Sequence, residues 1–198
     1  MRHATTCALF AYWDQIRGDR LAPERSEIEP GAIRTALADT FMLDVEADGS
    51  HPFRLAGTRV CALFGRELKD TPFSLLWRSP ANAVGAEGAA LVRVVCDEAR
   101  PAVAGVVGQT EDGEQIELEL LLLPLRHRGR THARVLGCLS AATLPPWFGL
   151  TPLQSLHLVS MRIVRGTPRV AQQPVQQGPT VVGSRRGHLR VFEGGLTT

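Results

Sequence analysis

Apolar residues along this chain change period three times, and each change marks an element. Leu9, Trp13 and Ile16 recur at i, i+4 and i+7, so Ala8 to Arg17 is predicted as an amphipathic helix, ended by Gly18. Its apolar stripe must pack on the domain, on a second copy of the chain, or on another protein. Asp19 to Glu29 is a polar connector. Glu29 to Leu37 predicts a short helix with Pro30 at its first position, where the missing N–H is harmless. The period then drops to two: Phe41, Leu43 and Val45 alternate with Met42, Asp44 and Glu46, as in a half-buried strand. Asp48-Gly49 signals a hairpin, and Phe53 to Ala56 is the returning strand. After Gly57, Val60, Leu63 and Phe64 fall at helical spacing, and Gly65 stops the turn.

A longer helix is predicted from about Ala81 to Ala99, with Gly88, Leu91, Val92 and Val95 on its apolar side. Each of Gly85 and Gly88 weakens it by roughly 1 kcal/mol relative to Ala. Three strands follow as a meander: Pro101 to Gln109, a strand with Ile116, Leu118, Leu120 and Leu122 on one face, and Ala133 to Thr143. Glu117 and Glu119 alternate with those leucines and are expected on the wet face. Thr151 to Gln154 has capping-box spacing, yet Ser155 to Arg165 alternates, and an extra strand is the reading adopted. The pattern therefore implies an α+β fold, an antiparallel sheet with helices gathered on one side. It divides into a helix and connector at 1–38, a sheet domain at 39–165 and a tail at 166–198, rich in Gly, Pro and Gln and expected to be flexible.

Composition narrows the function classes. With 44% hydrophobic residues the chain can bury a core. The net charge of +2 hides an asymmetry, since residues 162–198 hold six Arg against Glu193. Arg185, Arg186 and Arg190 could contact phosphates, the alternative reading being a nucleic-acid or anionic-surface binder; a solvated tail is the simpler one. Cys7, Cys61, Cys96 and Cys138 are too scattered for a zinc site. The start of the chain lacks signal-peptide character, and the apolar run Ile116 to Leu125 is too short to span a bilayer, so a cytoplasmic location with reduced thiols is expected. His127 and His132 flank a turn among arginines, which oppose a divalent ion. No nucleophile elbow or P-loop occurs, and no enzyme is expected.

The stretch Phe53-Arg-Leu-Ala-Gly-Thr-Arg-Val-Cys-Ala-Leu-Phe-Gly-Arg-Glu-Leu68, a strand turning through Gly into one helical turn that stops at Phe-Gly, resembles the early core of a PAS domain. With Tyr12-Trp13, Arg17-Gly18 and Leu76-Trp77, residues 8 to 163 resemble a bacterial family of stand-alone PAS proteins of poorly known function. The resemblance implies a five-stranded antiparallel sheet whose short helices wall a small cavity, and a sensory or regulatory role in signalling by ligand binding or protein–protein interaction. Phe53, Leu55, Phe64, Trp77, Leu91, Leu120 and Leu122 are the candidate lining, each equally able to be plain core. No cofactor is assigned: neither Cys61 nor Cys96 has the flavin-binding Asn-Cys-Arg-Phe-Leu context, and residues 81–99 hold no histidine for heme. An unidentified small apolar ligand remains. Leading helices of such proteins often mediate dimers, so Leu9, Trp13 and Ile16 form the candidate surface for a second copy or a signalling partner.

Overall fold

The computed structural model of the chain describes residues 1–77 and 85–164. The predicted start of the long helix at Ala81, and the tail with Arg185, Arg186 and Arg190, lie outside the described residues. Helix α1 (Ala4–Arg17) comes first, followed by single 3-10 turns at Arg25–Glu27, Pro30–Ile33 and Leu37–Asp39. Strands β1 (Thr40–Asp44) and β2 (Phe53–Ala56) form the hairpin, and α2 (Thr58–Leu63) and the 3-10 turn Phe73–Leu76 follow. Helix α3 (Ala86–Glu98) then leads into β3 (Ala102–Thr110), β4 (Gln115–His127), β5 (Arg130–Ala141) and β6 (Leu153–Ile163). All strand pairs are antiparallel, in the order β2-β1-β5-β4-β3-β6. The fold is thus α+β, with six strands among the described residues rather than five. The alternating stretch after Pro152 supplies the sixth, and no helix forms at its capping-box spacing.

The helices that follow the hairpin are gathered on one side of the sheet, as expected, and α1 lies on the other. The inner face of the sheet carries Phe41, Leu43, Ile116, Leu118, Leu120 and Leu122, which share one buried core with α2, α3 and the Phe73–Leu76 turn. The opposite, outer face carries Met42, Leu121, Leu123, Leu125, Leu136 and Cys138, and α1 lies over it through Leu9 and Trp13. Strand β4 explains the difference: from Leu118 to Leu125 it is buried on both faces, so a second layer was required. Leu9 and Trp13 are 0% and 1% exposed. The Trp13 indole N–H donates to the Pro124 carbonyl at 3.0 Å, and Arg17 stacks over the ring. These two residues are therefore core, not an open association surface, while Ile16 is half-buried at the margin of the same cluster.

Burial also overturns the expectation for Glu119, which α1 covers to 8% exposure while Glu117 stays exposed. Its carboxylate accepts the backbone N–H of Arg2 at 2.8 Å and of His3 at 3.2 Å, and the Thr6 hydroxyl. Burial alone would raise its pKa, but the bonds from Thr6, His3 and Arg2 hold it below the usual carboxylate range. The His3 ring places Nδ1 at 3.0 Å from both the carbonyl and the hydroxyl oxygen of Ser140. The first turn of α1 is thereby joined to β4 and β5.

Candidate functional site

The inner side of the sheet is the place where the sequence put a ligand. Its walls follow from local chemistry. Phe53 leads β2 against β1, and Gly57 starts α2 where a Cβ would overlap the carbonyls of Leu37 and Ala38. Gly65 ends the turn at φ 62°, a conformation glycine adopts at little cost. Val60, Leu63 and Phe64 then face inward, as their helical spacing predicted. On α3, Gly88 is required by contact: an added Cβ would overlap the Trp77 indole. Its helix-weakening character thus serves a close approach, letting α3 lie on the ring.

Four aromatic rings form the centre. Phe41 meets Phe53 edge-on at 5.3 Å between centroids and stacks with Phe73 at 5.8 Å. Phe73 meets Phe53 at 5.7 Å and Trp77 at 5.5 Å, both edge-on. Such pairs add about 0.5–1.5 kcal/mol beyond their burial. Of the seven candidate lining residues, Phe53, Phe64, Trp77, Leu91, Leu120 and Leu122 all belong to this one cluster, at 6% exposure or less.

Leu55 does not. The pairing slips between Met42, opposite Leu55, and Leu43, opposite Phe53, so Arg54 is an extra residue in β2. The bulge reverses the expected parity and turns Leu55 to the outer face at the sheet edge, 41% exposed. Strand alternation alone could not reveal this. Phe41 and Phe73, at the centre of the aromatic group, were legible as apolar positions but not singled out as lining.

Polar groups on this side are few. Among the described residues the Trp77 indole N–H is buried without an acceptor. Cys96 points into the core from α3, and burial, with Asp97 adding, pushes its thiol up to about 12, so it is an inert packing group. His51, in the β1–β2 loop, is 3% exposed and accepts the Glu46 N–H on Nδ1 at 3.2 Å, while its Nε2 is buried without a partner among the described residues. Burial lowers its pKa, with Arg93 acting the same way against Asp48 and the Ala89 backbone.

Residues 1–140 of the 198 match a family model described as a PAS domain. No curated protein sequence matches the chain. Among solved structures, the chain is similar to the Rhodobacter sphaeroides LOV protein, with 17% identity over 54% of this chain and 60% of that one, at TM-score 0.42. The dark structure of the blue-light photoreceptor Aureochrome1 LOV is similar at 14% identity, 57% and 81% coverage and TM-score 0.43. A light-oxygen-voltage domain studied with a flavin analogue is similar at 16% identity, 57% and 83% coverage and TM-score 0.43. With its sheet, its inward-facing short helices and a family match reaching from α1 into β5, the chain belongs to the PAS-domain family.

Proposed function

We propose that this PAS protein is a non-enzymatic sensory or regulatory component of bacterial signalling. It binds a small, mainly apolar molecule between the inner face of the sheet and α2 and α3, and passes its state to a protein partner or a second copy of itself. The observation that carries this reading is the Trp77 indole. Its N–H has no acceptor among the described residues, within a group of apolar side chains drawn from β1, β2, β4, α2 and α3. A buried indole N–H ordinarily finds an acceptor, and one left without costs roughly 1–3 kcal/mol. A ligand with one acceptor atom and an otherwise apolar body supplies the missing bond, and the surrounding rings and leucines take up the rest.

The residues around the indole argue against chemistry. Cys96 is held protonated, and apart from His51 in the β1–β2 loop the remaining side chains named on this side are hydrocarbon. An absorption spectrum and denaturing mass spectrometry of freshly purified protein test the proposal. A stoichiometric small molecule released on denaturation is expected. The mass of the bare chain alone, with no chromophore or compound in the supernatant, would contradict ligand binding at this site.

A further inference from the structure

The outer face of the sheet is only partly covered. An α-helix is about 10 Å across, whereas six strands at about 4.8 Å spacing span some 24 Å. Helix α1 and the turns beside it cover β1, β5, β4 and the Val103 end of β3, and beyond them Gly105 and Val107, with Val103 at the margin, border a groove of about 550 Å³. That volume is within the range of small-ligand sites, roughly 300–1,000 Å³.

Strand register places the charges of this groove. Residues directly paired across neighbouring strands share a face. On β4, Glu117 is opposite Val107 and Glu119 opposite Gly105. On β6, Ser160 is opposite Gly105 and Arg162 opposite Val103. Glu117 and Arg162 therefore stand on opposite banks and at opposite ends, four residues apart along β3, or about 13 Å at 3.3 Å per residue. Both are exposed, and neither has an ion-pair partner among the described residues. Between them the floor is Val103, Gly105 and Val107, and Val159, 68% exposed, borders it. Met1, Arg2 and His3 also line the groove, and Glu119, nearly buried there, is occupied by its bonds to Arg2, His3 and Thr6 and by the Met1 ammonium at 3.9 Å.

We infer that this groove is a second binding site, distinct from the inner core, for an elongated zwitterion of about the length of an extended tetrapeptide. Its carboxylate meets Arg162, its ammonium meets Glu117, and a small apolar middle lies along β3. With Arg2 also on the lining, an anion alone would leave Glu117 unmet and a cation alone would leave Arg162 and Arg2 unmet, so a ligand carrying both charges suits the groove better than either. The inference does not depend on a ligand in the inner core, and failure of either leaves the other standing.

The test uses the full chain and free tetra-alanine, followed by amide NMR of β3 and β6 and by calorimetry. Saturable binding is expected in the millimolar range, about −4 kcal/mol. Arg162→Gln and Glu117→Gln, both at exposed positions, are each expected to weaken it at least fivefold without moving the melting temperature. Amidating the peptide's carboxylate should weaken binding to wild type but not further weaken binding to Arg162→Gln, and acetylating its amine should do the same for Glu117→Gln. Absence of saturation at about 10 mM, or binding indifferent to both caps, would overturn the assignment.

Discussion

The inner face of the sheet shares in the larger of two buried apolar clusters and the outer face in the smaller, and the two faces differ in how they treat polar groups. On the outer face, every polar group that α1 brings inward finds a partner: Trp13 bonds to Pro124, Glu119 takes three donors, and His3 reaches Ser140. On the inner face, Trp77 is as deeply buried as Trp13, yet its N–H has no acceptor among the described residues. A satisfied polar cluster fixes one geometry, whereas a buried group without a partner among the described residues, such as the Trp77 N–H and also His51 Nε2 and Arg126 Nε, calls for water, strain or a ligand to account for it. We read the outer face under α1 as structure and the inner face as the sensory side.

The comparison can be broken most forcefully at Trp13. Trp13→Glu removes a buried ring, orphans the Pro124 carbonyl and introduces a charge beneath α1. The expected loss is about 4 kcal/mol or more, which lowers the melting temperature by about 10 °C or prevents folding. A variant that melts like wild type, by circular dichroism, would mean that α1 is not held on the sheet. Next comes Leu120→Trp on the inner face. Overpacking is expected to cost about 1–3 kcal/mol, whereas an unchanged melting temperature would reveal a void able to take the larger ring and would sharpen the ligand reading.

Glu119→Gln keeps the shape of the outer cluster and removes its charge. A loss of about 1–2 kcal/mol is expected at neutral pH. Because the folded carboxyl is held below its unfolded value, its contribution is present above that value and fades as pH falls through the folded one, so the variant and wild type should converge in acid. A gap in denaturant midpoint that persists at low pH would contradict the role given to the charge. The smallest effect is at His51. Its folded pKa is lowered by burial, so its neutral form supports the fold above about 6.5 and the support declines as pH drops below that. Stability measured across that window should flatten in His51→Leu, and an unchanged slope would assign it to other groups.

How much of this was legible beforehand follows the same division. Element order, the inner leucines of β4 and the face of α2 could be read because period and burial agree there. The sixth strand was read from alternation against a competing capping-box signal. The covering of the outer face was left open, packing of the first helix on the domain being one of three alternatives, although Leu121, Leu123 and Leu125 stand in the same run as Leu120 and Leu122. Two buried faces in one strand erase the polar–apolar alternation that would have announced a second layer. Glu119 looked like a wet residue because its partners are backbone groups more than a hundred positions away. Leu55 was misplaced because a single inserted residue, Arg54, reverses parity without a local signature.

The inner-face reading turns on the two buried indoles, and proton–nitrogen NMR resolves their N–H groups separately. Spectra of the protein as purified and after denaturing, stripping and refolding make the comparison, with resonances assigned through Trp13→Phe and Trp77→Phe. The account predicts that the Trp77 N–H moves when the co-purified compound is removed, while the Trp13 N–H, bonded to Pro124, stays in place. A Trp77 resonance identical in the two samples, or a shift confined to Trp13, would contradict a ligand on the inner face of the sheet.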